Sequence, residues 1–255
     1  MLIASKDETA SAVIESNMLP EVVEGIADFV VSEGTAEIVD AIVGALAPRI
    51  NGIRLNYKQN RFEKSVTSAL VLVAQRIDKM ETNYSTLEEE IQEKFRGIYV
   101  EWLLDNLEEE KQQRKVTYHV NGFINLMNNE ANDNLMLMFF NTINELTELD
   151  IDVLSLYNRD SQENIISLCN RYNLKIEQVA VIKEKLERLG LIYSKNDEQR
   201  DGNIDSIVDY LNKVDKEQKK SKPKGIRLLN IKKPNRSTSY AITSLGRDYL
   251  RVISD

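Results

Sequence analysis

The chain of 255 residues has one cysteine, one histidine, one tryptophan and four prolines, and each scarcity removes a class of protein. With Cys169 alone, no disulfide can close within the chain and no thiolate cluster can be built, so a cytoplasmic setting is expected. A single imidazole, His119, is too few for a zinc or iron site, and no GxxxxGK[ST] or GxGxxG loop is available to cradle a phosphate. We therefore expect no metal, no cofactor and no enzymatic activity. Ten glycines supply too few turns for a sandwich or barrel. The longest uncharged apolar run, Ala41 to Pro48, falls well short of the roughly 20 residues that a spanning helix needs. Met1 to Asn17 carries a single lysine and no apolar core, so no secretory leader is expected, and residues 1–17 read as a flexible tail.

Helical periodicity fills most of what remains, and the expected class is mainly α. In residues 18–55, acidic side chains recur at Glu21, Glu24 and Asp28 and again at Glu33, Glu37 and Asp40, leaving faces of Ala, Gly, Val and Ile. Pro20 suits a helix start, Gly34 a break and Pro48 a stop, which predicts an Ala/Gly-rich helical hairpin. Contact with a membrane is expected only conditionally and only through this hairpin, because interfacial helices normally present Lys and Arg instead of acids.

Residues 56–145 read as a helical bundle. Val66, Ala69, Leu70, Val73, Ile77 and Met80 mark one stripe, and Leu87, Ile91, Phe95, Ile98, Trp102 and Leu107 mark another, opened by a Ser85/Glu88 capping box. Glu108, Glu109 and Glu110 are expected on a solvated face, with Glu110 facing Arg114 at i,i+4. Val116, Tyr118 and Val120 alternate as an extended segment would. Phe123, Ile124 and Met127, then Leu135, Met138, Phe139 and Ile143, continue the helical core.

Residues 146–255 give helix, helix, helix, strand, strand, helix. Ser161 is the expected cap of the second helix, Ile176, Val179, Ile182, Leu186 and Leu189 form the face of the third, and Gly190 ends it. Leu191–Tyr193 and Tyr240–Ile242 are the strands, and Thr243 caps the last helix. This order resembles the winged-helix pattern, with a small β-wing and an insert at 195–236. The chain carries a net charge of −8, yet Lys213 to Arg236 holds ten basic and two acidic residues. Lys213, Lys216, Lys219, Lys220, Lys222, Lys224, Arg227, Lys232, Lys233 and Arg236 are thus candidate phosphate contacts in a solvated wing, joined by Lys175, Gln178 and Lys183 on the third helix. That helix is close to neutral on its exposed side, which argues against strong base readout. Nucleic acid through the insert, a protein partner and a homo-oligomer are the expected associations.

Two resemblances bear on function. Arg114 followed after four residues by His119 resembles the paired motif of HEPN-type nucleases, which implies 2′-hydroxyl activation and phosphate stabilisation by that pair. The stretch NLMLMFFNTINELTELDIDVLSLY from Asn134, LERLGLI from Leu186 and YAITSLGRDYL from Tyr240 resembles the bacterial and prophage family described as abortive-infection alpha. That resemblance covers the C-terminal half and implies a helical body with a winged-helix end, found in mobile elements and engaged in phage exclusion. A binding protein associated with defence is the expectation, with a DNA-binding transcriptional regulator and a membrane-active effector as alternatives.

Overall fold

The computed structural model describes residues 37–52, 56–158, 163–222, 224–231 and 239–254. The expected tail and the first arm of the expected hairpin lie outside the described residues. The protein is mainly helical with one small two-stranded antiparallel sheet. It divides into two units, residues up to Leu149 together with Leu250–Asp255, and Asp150–Tyr249.

In the first unit, α1 (Glu37–Gly52) runs past Pro48, which does not end it. Proline fixes a helix-compatible φ, so inside a helix it can forfeit one hydrogen bond without stopping the chain. Ile38, Ile42 and Leu46, four residues apart, are buried. They meet α2 (Asn56–Gln75) and α5 (Val100–Glu109) along an apolar seam with Val66, Leu70, Val73, Leu103, Leu104 and Leu107. Burying each such side chain is worth about 1.5–3 kcal/mol. At the end of α1, Arg49 binds Glu101 and, at 2.6 Å, Asp105.

Between them lie α3 (Ile77–Ser85), α4 (Glu89–Lys94) and a π-helical turn (Phe95–Tyr99). The Ser85/Glu88 box does not form: Ser85 ends α3, and its hydroxyl donates to Thr82 O at 3.0 Å. The π turn inserts a residue and rotates the helix. Ile98, expected inward, is therefore 45% exposed, while Tyr99 and Val100 are fully buried.

α6 (Gln113–Asn125) replaces the extended segment expected around Val116 and Val120. Those two residues are one helical turn apart and both fully buried, as are Phe123 and Ile124. α7 (Asp133–Glu145) is capped by Asn132, which accepts from Leu135 N at 3.1 Å. Its buried face is Met136, Phe139, Phe140 and Ile143, whereas Met138 is 48% exposed. The amides of Asn121 and Asn125 donate to the carbonyls of Ile253 (2.7 Å) and Val252 (2.8 Å), satisfying acceptors that a helix end leaves open.

The second unit holds the end of α8 (Glu148–Ser155), then α9 (Ile165–Tyr172), α10 (Ile176–Arg188), β1 (Ile192–Ser194), α11 (Lys195–Gln218), β2 (Tyr240–Ile242) and the start of α12 (Ser244–Ile253). Ser161 lies outside the described residues. The cap of α9 is Asn164, whose side-chain oxygen accepts from Ile166 N and Ser167 N, both at 3.0 Å. Asn164→Ala should lower stability by about 1 kcal/mol in urea unfolding, and no change would show that water replaces the cap. α9 ends on Asn173 in the left-handed region, φ 51°, and α10 on Gly190, φ 70°. Strands pair as Ile192↔Ile242, Tyr193↔Ala241 and Ser194↔Tyr240.

A 24-residue helix, α11, stands where the sequence suggested a solvated wing. Its start is set by Ser194, which accepts from Asp197 N at 3.3 Å, with Asp197 and Glu198 in the first turn. Gly202 is the only glycine or proline in it, so nothing interrupts the helix once it is capped.

Candidate nucleic-acid interface

The basic residues of the insert fall on two structures. Lys213 and Lys216 belong to α11, and with Lys220 just beyond its end they share one side at spacings of three and four residues. Lys219, Lys220, Lys222, Lys224 and Arg227 follow in irregular chain, all exposed. Lys232, Lys233 and Arg236 lie outside the described residues. Lys219 pairs with Asp215 at 2.6 Å and Lys220 with Glu217, leaving Lys213, Lys216, Lys222, Lys224 and Arg227 without an ion-pair partner among the described residues. Hydrogen bonds from Lys220 and from the backbone N–H of Lys224 hold the Glu217 carboxyl below the usual range.

After Lys224 the chain turns back along α11. An open groove results, lined on the helix by Ser206, Asp209, Tyr210 and Lys213 and on the returning segment by Arg227 and Asn230 together with the aliphatic Ile226, Leu228 and Leu229. Two cations fourteen positions apart thereby face one concavity, beside a phenol, a hydroxyl and an amide. Hydrogen-bond donors outnumber the single carboxylate of Asp209, and a phosphate needs such donors. Tyr210 and the meeting of Lys213 with Arg227 were not visible in the sequence, because only the chain reversal brings them together. A tyrosine bordering a basic run, one helical turn before its first lysine, is the local signal available.

The three candidates on α10 are not part of this groove. The Gln178 side chain accepts from Lys175 N at 2.8 Å and so closes the helix start. Lys183 sits 5.7 Å over the Tyr240 ring. Lys185 is bound to Asp150 at 2.6 Å. Exposed on the same helix are Ile176 (60%) and Val181 (67%).

Arg114 and His119 are separated by the helix that contains both, since five residues turn it by about 140°. Arg114 is exposed and directed to the Tyr118 hydroxyl at 2.7 Å. His119 is fully buried, stacked on Phe140, with Nε2 at 3.4 Å from Glu110 Oε2. Glu110 is buried too, contrary to the solvated face expected of it. Its Oε2 takes Lys115 at 2.8 Å in place of Arg114, and its Oε1 accepts from Lys111 N (2.7 Å) and Gln112 N (2.8 Å). Burial alone would raise its pKa, but these donors, His119 first, hold it down at about 2. The ionised carboxylate can only accept, so Nε2 of His119 carries the hydrogen and Nδ1 is left without a partner among the described residues. Protonating Nδ1 would strand a buried N–H, and burial accordingly lowers the His119 pKa.

No helix among the described residues is long and apolar enough to cross a membrane. In α1, Ile38, Ile42 and Leu46 are spent on the core of the first unit. No protein-family model matches the chain, and neither a curated protein nor a solved structure matches it.

Proposed function

We propose that this chain is a non-enzymatic binding protein that grips the phosphate backbone of nucleic acid through the basic end of α11 and the segment after it. The groove that joins Lys213 to Arg227 carries this reading. The second unit is in this view a modified winged helix in which the arm, and not α10, makes the contact. Its support is that Lys183 and Lys185 of α10 are engaged by Tyr240 and Asp150, while Lys213 and Arg227 of the arm are exposed beside one groove. Such contacts give affinity without sequence preference. An interaction protein of a prophage or a phage-defence system, working in the cytoplasm, fits this mode and the resemblance of the C-terminal half to abortive-infection proteins.

Fluorescence anisotropy with unrelated DNA and RNA duplexes over a salt series tests it. The full chain should bind them with similar affinities that fall with salt, and Lys213→Ala or Arg227→Ala should each reduce the slope of log K against log salt by about one. Failure to bind at low salt would overturn the proposal. Preference for one palindromic site by several kcal/mol would favour the transcriptional-regulator alternative instead.

A further inference from the structure

We propose that α11 is also a self-association arm, on which a second copy of this chain docks its own α11 in antiparallel orientation. The helix is about 36 Å long, and none of its described residues is buried. Ile204 (51% exposed), Ile207 (37%), Val208 (50%) and Leu211 (58%) nevertheless form a stripe, which Val214 extends at the same spacing. At 100° per residue the five span about 120° of the surface, roughly opposite Ser206, Asp209 and Lys213 of the groove. The stripe is thus separate from those groove residues, although Tyr210, four residues before Val214, borders its edge. Ile204, Ile207, Leu211 and Val214 alternate spacings of three and four, the spacing of a two-helix seam.

Charge selects the occupant and its direction. Lys195 to Asp209 contains two basic and five acidic residues, whereas Tyr210 to Gln218 contains two of each and is followed past the helix end by Lys219, Lys220 and Lys222. This polarity suits the helix's own dipole. It also means that a parallel second copy would place the acidic half of α11 on itself, while an antiparallel copy places it against the neutral half and the lysines that follow. In that register Ile204 opposes Val214, Ile207 opposes Leu211, and Val208 lies beside its own counterpart across the two-fold axis.

Sedimentation equilibrium of the full chain over a dilution series, at low and high salt, combined with cysteine cross-linking, is the test. We expect a monomer–dimer equilibrium that weakens as salt rises. Leu211→Glu, at an exposed position that the monomer's fold does not need, should lower the association constant by at least about tenfold. Val208→Cys should form a disulfide dimer on oxidation. Ile204→Cys should not do so alone but should cross-link when mixed with Val214→Cys, and the parent chain with its buried Cys169 is the control. A monomer at every concentration would overturn the proposal, as would Leu211→Glu associating like the parent chain. Self-cross-linking by Ile204→Cys, or association that strengthens with salt, would overturn the antiparallel pairing.

Discussion

Glu110→Gln is expected to cost the first unit about 3–5 kcal/mol, because it leaves the Lys115 ammonium buried beside a neutral amide. Glutamine nearly matches the volume of glutamate and still offers an oxygen to the N–H groups of Lys111 and Gln112, so the change isolates the charge. Both side chains of the pair are about 5–6% exposed, which leaves the cation little water to replace its partner. The double variant Glu110→Gln, Lys115→Met should recover most of the loss, since removing both charges removes the uncompensated one. Trp102, the only tryptophan, lies in this unit, and its fluorescence in urea reports the transition. A loss below about 1 kcal/mol would mean that Lys115 reaches solvent and that the pair is not what holds α6 to the end of α5.

The same cluster fixes the response to acid. Glu110 has a folded pKa of about 2 against an ordinary 4.5, so its contribution is complete above 4.5 and disappears as pH falls towards 2. His119 is also depressed, from 6.5, and stays neutral when buried. The unfolded chain takes up that proton first, so stability declines as pH drops below 6.5. Stability measured against pH should therefore show two descending limbs, and His119→Leu should abolish the upper one and weaken the lower, because it also removes a donor to Glu110.

Features governed by local chemistry were legible in the sequence. Gly190 takes the positive φ expected at a helix end, β2 occupies Tyr240–Ile242 as read, and Thr243 accepts from Gly246 N at 2.9 Å as the cap of α12. What failed depended on partners far along the chain. The alternation of Val116, Tyr118 and Val120 fits period two as well as the helical spacing, and only the core packed against Val116 and Val120 decides for helix. Glu110 looked like the last of a solvated acidic run because its two partners come five and nine residues later. The π turn leaves no signature, yet it turns Ile98 outward and Tyr99 inward. In α11 the stripe from Ile204 to Val214 is present but diluted by charge, so the segment read as solvated wing instead of an apolar-striped arm. The basic candidates were legible as composition, while their grouping into a groove with Tyr210 required the fold.

Gly246→Ala is expected to destabilise the second unit by about 3 kcal/mol. A Cβ at this position would stand 2.2 Å from the carbonyl oxygen of Leu191 and 2.8 Å from Cγ1 of Ile242. The side chain of Ile242 could adjust, but the carbonyl cannot, because it accepts from the backbone N–H of Thr243 at 3.1 Å while the Thr243 hydroxyl donates to the adjacent Gly190 carbonyl at 2.7 Å. Relief would require separating the start of α12 from the chain entering β1, and overpacking of this kind typically costs about 1–3 kcal/mol before the lost hydrogen bonds are added. Hydrogen exchange at the amides of Ile192–Ser194 and Tyr240–Ile242 reads the effect where it arises, and unchanged protection there would refute the rigid corner. Gly202→Ala is the matched control: nothing lies within 4 Å of its Cβ, and it sits inside α11. Removing backbone freedom from the unfolded chain should there stabilise by about 0.5–1 kcal/mol. One methyl group thus carries opposite signs at two glycines of the same unit, because a fixed carbonyl meets it at one and open space at the other.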